Sequence, residues 1–344
     1  MRYGELRPMR KLRPGLALTT ALLITATGCT PAGTTGTAKN GSTAITINSC
    51  GRDVTFDTPP KRILAIGSEA PSLLVAAGAG DKITHYAGSL KVPFEQDTKA
   101  LVERAERVSE DSHNVSYEMI LNSKADVVIG TDITKGVDIN ALAKRLEQAG
   151  TKLLTVSGYC GGIPGRSTNG ANGFDLIYQD VNNYGRLFGT SQKATESVKR
   201  MQDRVTAAKE RLTTHTGKTA APLYVPAKGG IGSYGGQSLV SEQMTALGLK
   251  NVFADVPKRY FEPSTEELIG KEPDLVFGMY LPTGSSNTET DEDVVKQLRT
   301  RPELKGLATV HKDGAVLPLN YFYTSPGPLA VDGIELIASR LSAS

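Results

Sequence analysis

The hydrophobic pattern of this 344-residue chain changes period several times, and each change predicts an element. Residues 16–24 form a short, mostly apolar run. Residues 44–56 alternate apolar and polar in two runs around Gly51-Arg52, which predicts a hairpin ended by Pro59-Pro60. Residues 62–66 read as a short buried strand, and Gly67-Ser68-Glu69 then turns into a helix over 70–77 that Gly78 stops. The unit recurs as a strand at 126–129, a helix at 139–148 and a strand at 152–156. Residues 174–212 hold the longest helical stretch. Phe174, Ile177, Val181, Tyr184 and Leu187 recur three or four apart, Gly189-Thr190-Ser191 interrupts, and Val198, Met201, Val205 and Ala208 resume the stripe. Beyond it, 223–225, 275–278 and 315–319 read as strands, and 242–247, 293–298 and 329–341 as helices. Strands alternating with helices predict parallel α/β sheets.

The chain also echoes itself about 150 residues apart. Ser116-Tyr-Glu118-Met-Ile120 is followed, ten positions after the serine, by Asp126-Val-Val-Ile129-Gly130; Ser264-Thr-Glu266-Glu-Leu268 is followed at the same distance by Asp274-Leu-Val-Phe277-Gly278. Upstream, Ser68 precedes Gly78 by ten residues and Ser238 precedes Gly248 by ten. Two echoes in one order imply two lobes of one fold. Paired α/β lobes leave a cleft, where ligands usually sit.

Composition changes this picture at the start of the chain. Arg2, Arg7, Arg10, Lys11 and Arg13 precede the apolar run, and Ala26-Thr27-Gly28-Cys29 follows it, the layout of an export signal. The run is too short for a stable membrane span. Small residues before a cysteine resemble the lipobox of bacterial lipoproteins, which makes Cys29 the diacylated first residue of the mature chain; the alternative is an ordinary secretory signal with an incidental cysteine. Residues 29–43, rich in Thr, Gly, Ser and Ala, read as a flexible tether. Removing residues 1–28 takes away five basic residues and one acidic, leaving 34 basic against 35 acidic. The mature chain has no basic track for nucleic acid. Cys50 and Cys160 are then left over, and in an exported protein two leftover cysteines suggest a disulfide; the alternative is two free thiols.

Several segments, in order, resemble the lipid-anchored substrate-binding proteins of bacterial ABC importers for ferric siderophores, haem and cobalamin. They are Gly51-Arg-Asp-Val-Thr-Phe56, Pro60-Lys-Arg62-Ile-Leu-Ala-Ile66, the two S-x-E-x-(I/L) elements, the (P/A)-D-(L/V)-V elements with Ala125 in place of the usual proline, Tyr184-Gly-Arg-Leu-Phe-Gly189, and Gly327-Pro328 before Val331-Asp332-Gly333. The resemblance implies an α/β protein with two Rossmann-like lobes and parallel-type sheets, joined by one long helix, with the ligand cleft between them. It divides the chain into a signal (1–28), tether (29–43), first lobe (44–172), bridging helix (173–214) and second lobe (215–344). The implied role is capture of a ferric siderophore, or of haem or cobalamin, by a monomer anchored on the outer face of the cell membrane, and its delivery to an ABC permease and its ATPase. In this family each lobe presents a glutamate to the permease. Glu242 matches in the second lobe; Ser72 stands at the first-lobe position, and Glu69, three residues earlier, is the expected substitute.

The cleft is expected at loops following the strands. Ligand contacts are expected from Ser68, Glu69, Tyr86, Lys91, Tyr159, Arg166, Tyr234, Arg259, Tyr260, Tyr280 and Tyr323. Tyrosine offers a flat apolar face with a hydroxyl tip, suited to a ligand with an organic shell and a polar rim. Cations near these loops (Lys91, Lys135, Arg166, Lys228, Lys258, Arg259) suit an anionic chelate, whereas a hydroxamate complex needs fewer. No resident metal or cofactor is expected, because His85, His113, His215 and His311 are scattered; His113, beside Asp111, is the one that falls in a cleft loop. Haem needs an axial ligand, for which Tyr234, Tyr260 and Tyr280 are candidates. The glycine-rich 229–236 lacks the Lys-Ser/Thr of a phosphate loop, and Ser68 and Ser238 have no evident His and Asp partners. Binding without catalysis is therefore the expectation, with an exported hydrolase as the rival and a purely structural lipoprotein third.

Overall fold

Alternation at the start of the folded chain becomes an antiparallel hairpin, β1 (Ile45–Ser49) and β2 (Arg52–Phe56). Its turn is Cys50-Gly51 rather than Gly51-Arg52. Both residues have positive φ (54° and 76°), the geometry that matches a two-residue turn to the twist of the strands. The structure, a computed structural model, describes residues 44–131, 138–162, 173–211, 217–226, 229–282 and 290–342. The export signal, Cys29, the tether, Lys135, Arg166 and Lys228 lie outside these residues.

The first lobe carries β3 (Ile63–Ile66), α1 (Glu69–Ala76), β4 (Ile83–Ala87), α2 (Gln96–Arg104), β5 (Glu106–Ser109), α3 (Tyr117–Asn122), β6 (Val127–Gly130), α4 (Ile139–Gln148) and β7 (Lys152–Thr155). Its sheet is entirely parallel, in the order β5-β4-β3-β6-β7. The order reverses direction beside β3, which makes the carboxyl ends of β3 and β6 the topological switch point. Between the lobes run α5 (Gly173–Phe188) and α6 (Ser191–Glu210). The second lobe carries β8 (Thr219–Tyr224), β9 (Gly232–Ser233), α7 (Leu239–Ala246), β10 (Lys250–Asn251), α8 (Thr265–Gly270), β11 (Leu275–Tyr280), α9 (Asp291–Thr300), β12 (Val316–Asn320) and α10 (Leu329–Ser342). Its sheet runs β10-β8-β11-β12 in parallel, with β9 antiparallel on β8.

Six of the echoed residues have matched physical jobs. Ser116 and Ser264 cap α3 and α8, accepting from the amides of Met119 and Glu267. Asp126 accepts from the amides of Lys61 and Arg62 and from the Arg62 guanidinium; Asp274 accepts from the amide and hydroxyl of Thr219. Each aspartate thus ties its strand to the entry of the strand beside it. Burial pushes the Asp126 carboxyl up, but the Arg62 and Lys61 hydrogen bonds outweigh this and hold it below the usual range; for Asp274 the Thr219 amide bond is the main cause of the same lowering. Gly78 and Gly248 close α1 and α7 with φ of 76° and 75°, a left-handed step that a side chain would strain.

The long helical stretch departs from a single bridge. At Gly189 (φ 71°) α5 ends, and the Thr190 amide donates to Gly185 O at 2.8 Å. A Cβ on Gly185 would run into Ala194, so the two helices meet closely at this corner. Arg186 donates to Thr46 O, which keeps α5 against the hairpin of the first lobe. The spanning element is α6. It starts where Thr190 Oγ1 donates to Ala77 O (2.5 Å) and reaches α10, where Arg204 pairs with Asp332 (2.5 Å) and Glu335 (2.6 Å). One continuous apolar cluster runs through the inner helices of both lobes, including Leu73, Val181, Tyr184, Val205, Val331 and Ile334, while separate clusters fill the outer face of each sheet. Residues 42–344 form one compact unit. Among the described residues, no helix is long and apolar enough to cross a membrane.

Candidate functional site

A cleft of about 500 Å³ opens where the carboxyl ends of the first-lobe strands face the second lobe. Every first-lobe strand contributes: Gly67–Glu69 follow β3, Gly88 and Ser89 follow β4, Glu110–His113 follow β5, Thr131 follows β6 and Tyr159 follows β7. The second lobe supplies Arg259, Leu281, Tyr321 and Phe322. This is where parallel α/β sheets bind ligands, because helix starts and free amides converge there. A hollow of similar size along α9, near Asp291, Lys296 and Pro318, lies away from these strand ends.

On the first-lobe side, Glu69 is 3% exposed and accepts a hydrogen bond from the Tyr159 hydroxyl at 2.9 Å. Burial, and then the neighbouring Glu69 charge, push the Tyr159 hydroxyl well above its ordinary range, so it remains a donor. Tyr159 sits on a short 3-10 turn, Ser157–Gly162, anchored at both ends. Asp180 of α5 accepts from the Ser157 amide (2.8 Å) and hydroxyl (2.6 Å), and Cys160 is joined to Cys50 of the hairpin turn. Burial pushes the Asp180 carboxyl up to about 7 against the two Ser157 hydrogen bonds.

On the second-lobe side, Arg259 reaches across the cleft. Its guanidinium lies 5.1 Å from the Tyr159 ring centroid and 3.5 Å from the Tyr321 hydroxyl. Behind it stands a tyrosine wall: Tyr234 lies 5.4 Å from Tyr260 and 6.2 Å from Tyr321, and Tyr224 lies 6.2 Å from Tyr321 and 6.5 Å from Tyr260, between ring centroids. Burial is the first cause that raises the Tyr234, Tyr224 and Tyr260 hydroxyls, so they stand as neutral donors. Among the described residues, no group of His, Cys, Asp and Glu is placed to hold a metal ion.

Two sheets of this kind with a cleft at their strand ends agree with the comparisons to known proteins. A family profile described as "Periplasmic binding protein" matches residues 63–316. This chain belongs to that family. It is 23% identical over 294 residues to an uncharacterized ABC transporter substrate-binding lipoprotein of Bacillus subtilis, covering 84% of this chain and 82% of the relative. The crystal structure of an ABC-type Fe3+-hydroxamate transport system from Saccharomonospora viridis is 30% identical, with a TM-score of 0.73, over 86% of this chain and 98% of that one. The catecholate-siderophore binding protein of Vibrio cholerae shares the fold at 14% identity and a TM-score of 0.63, covering 88% of this chain and all of its own (100%).

Within this periplasmic binding protein, the sequence-derived site residues separate. Ser68, Glu69, Tyr159 and Arg259 line the cleft; Tyr234 and Tyr260 stand in the tyrosine wall. Tyr86 is corrected to a core residue: it is fully buried, packs edge-on against Phe94 and donates to Ser89 O. Tyr280 is also corrected, since its ring fills the outer core of the second lobe and its hydroxyl donates to Asp291 at 2.9 Å. Tyr323 packs beside the inner core near Asp332, with Gln243 donating to its carbonyl. Lys91 is exposed and outside the cleft lining. Arg166 lies outside the described residues. Of the two expected docking glutamates, one is buried and the other half-buried. Glu69 is buried on the cleft, and the Glu242 carboxylate is turned inward to cap α5, accepting from the amides of Gly173 and Phe174. Tyr224 and Tyr321 escaped selection as contacts. Each ends or directly follows a parallel strand (β8 and β12), and strand-end position was the signal that marked them.

Proposed function

We propose that this protein captures a ferric siderophore outside the cytoplasmic membrane and hands it to an ABC permease driven by its ATPase. The observation that carries the reading is the cleft itself: a cavity at the strand ends of two lobes, lined by Tyr159, Tyr321 and Phe322 around Arg259, with Tyr234 packed behind Tyr321. Aromatic faces with hydroxyl tips suit the organic shell of a metal chelate, and the chelate brings its own iron ligands, so the protein needs no metal cage. Likeness to the Fe3+-hydroxamate transport structure supports the same class of cargo. The export signal and Cys29 support a lipid anchor at the outer face of the membrane, as does likeness to the lipoprotein from Bacillus subtilis. The lobes at 44–172 and 215–344 close on the ligand with little movement, because the inner core runs through both.

A titration panel tests this. The mature protein is titrated with ferric hydroxamate, ferric catecholate, haemin and cobalamin, followed by tyrosine quenching or calorimetry because the chain has no Trp. A ferric siderophore is expected to bind tighter than about 10 μM, roughly −7 kcal/mol. Binding of haemin or cobalamin alone moves the cargo to those ligands. Turnover of an ester or peptide, with no chelate bound, overturns the importer reading.

A further inference from the structure

The two oxygens of Glu69 are used unequally. Oε1 accepts from the Tyr159 hydroxyl at 2.9 Å, whereas Oε2 has no hydrogen bond or ion pair among the described residues. The side chain is closely surrounded. Its residue is 3% exposed, a Cβ on Gly67 would lie 3.0 Å from Oε2, and a Cβ on Gly327 of the opposite lobe would lie 3.2 Å from the Glu69 Cα. Arg259, which also lines the cleft, is directed at the Tyr159 ring and the Tyr321 hydroxyl instead. Because Glu69 lines the cleft, Oε2 is left to accept a hydrogen bond from whatever binds there. The surrounding rim adds Glu110 and Asp111, with His113 Nδ1 already 3.2 Å from Asp111.

We propose that Glu69 selects the cargo by charge: its Oε2 receives a hydrogen bond from an N–H or ammonium group of the bound ferric complex, which favours complexes of zero or positive net charge over polyanionic ones. This rests on the siderophore reading and narrows it. A tris-catecholate complex would bring several negative charges onto a fixed carboxylate in a partly dry cleft, where screening is weak. A trihydroxamate complex is neutral at the metal, and a pendant amine makes it a cation with the donor that Oε2 lacks.

Three probes decide it: ferric desferrioxamine B, which ends in an ammonium group, its N-acetylated form, and ferric enterobactin, a tris-catecholate. Wild-type protein is expected to bind the amine complex about tenfold tighter than the acetylated one, with the tris-catecholate weakest. In Glu69→Gln the preference for the amine disappears and the tris-catecholate improves about tenfold. The acetylation comparison needs no substitution, so it stands even if Glu69→Gln folds poorly. Equal binding of the amine and acetylated complexes by wild type overturns the charge selection while leaving siderophore capture intact, as does an unchanged preference in a folded Glu69→Gln. Failure of wild type to bind any of the three overturns the siderophore reading and this inference with it.

Discussion

Arg259 of the second lobe places its guanidinium 5.1 Å from the centre of the Tyr159 ring of the first lobe, so a single cation–π contact spans the candidate cleft. The geometry couples the two walls. Tyr159 is fixed from behind by Glu69, and Arg259 is fixed sideways by Tyr321, so a ligand entering here meets a preset array and orders few side chains on binding.

Binding energy is therefore expected at Arg259 and Tyr321 and not at Tyr280. Arg259→Ala and Tyr321→Ala should each weaken the ferric ligand by about 1–3 kcal/mol with little change in melting temperature. Tyr280→Ala should leave affinity within about twofold and destabilise the protein by about 3–5 kcal/mol, because it empties the outer core and leaves Asp291 with Arg340 as its remaining side-chain donor. Calorimetric titration and thermal melts of the same samples separate the two patterns. A loss of affinity confined to Tyr280→Ala would move the site to the outer face.

Glu242→Ala should act on stability. Its carboxylate caps α5 through the amides of Gly173 and Phe174, and replacing such a cap with alanine costs about 0.5–2 kcal/mol. Urea melts at neutral pH read this directly. A variant as stable as wild type, with reduced uptake in cells, would return Glu242 to the permease-facing surface.

Asp180 gives a pH signature. Burial lifts its carboxyl from 3.8 to about 7 in the folded state. The folded protein therefore binds the proton more tightly than the unfolded chain. The stability associated with this proton is fully present below about pH 4 and is lost as pH rises towards 7, after which the effect is constant. Asp180→Asn keeps an acceptor for the Ser157 amide but has no charge to bury. Its stability relative to wild type should rise across that window by on the order of 1–4 kcal/mol. Denaturant midpoints taken between pH 4 and 8 test the slope; parallel profiles for the two proteins would refute it.

Cys50 and Cys160 lie 110 residues apart in sequence, and their link holds the hairpin turn to the 3-10 turn that carries Tyr159. In the chain-entropy account, closing a loop of this length contributes roughly 4 kcal/mol. Mass spectrometry of unreduced mature protein should find the linked peptides. Reduction should lower the melting temperature and weaken ligand through Tyr159. Alkylation of both thiols without reductant would remove the link from the account.

The sequence by itself determined the alternation of strands and helices and the doubling, but not β4, α2 or β5. Short-range physics explains why: Ser116 and Ser264 cap helices and Gly78 and Gly248 turn left-handed through contacts whose spacing is visible in the chain, whereas the strands that Asp126 and Asp274 tie come from 64 and 55 residues away. The cleft was legible only as a set of loops. Ser68, Glu69, Tyr159 and Arg259 were recoverable because they follow or face strand ends, but a tyrosine near a strand end carries no mark of the side to which its ring turns. Tertiary packing decided that Tyr86 and Tyr280 fill cores while Tyr321 faces the cavity. It also turned Glu242 onto α5, because its partner Gly173 lies 69 residues away and meets it only in the folded chain, whereas the break at Gly189 was visible in the sequence. Whether a carboxylate reaches outward or caps a neighbour depends on such long-range contacts, and these have no period in the sequence.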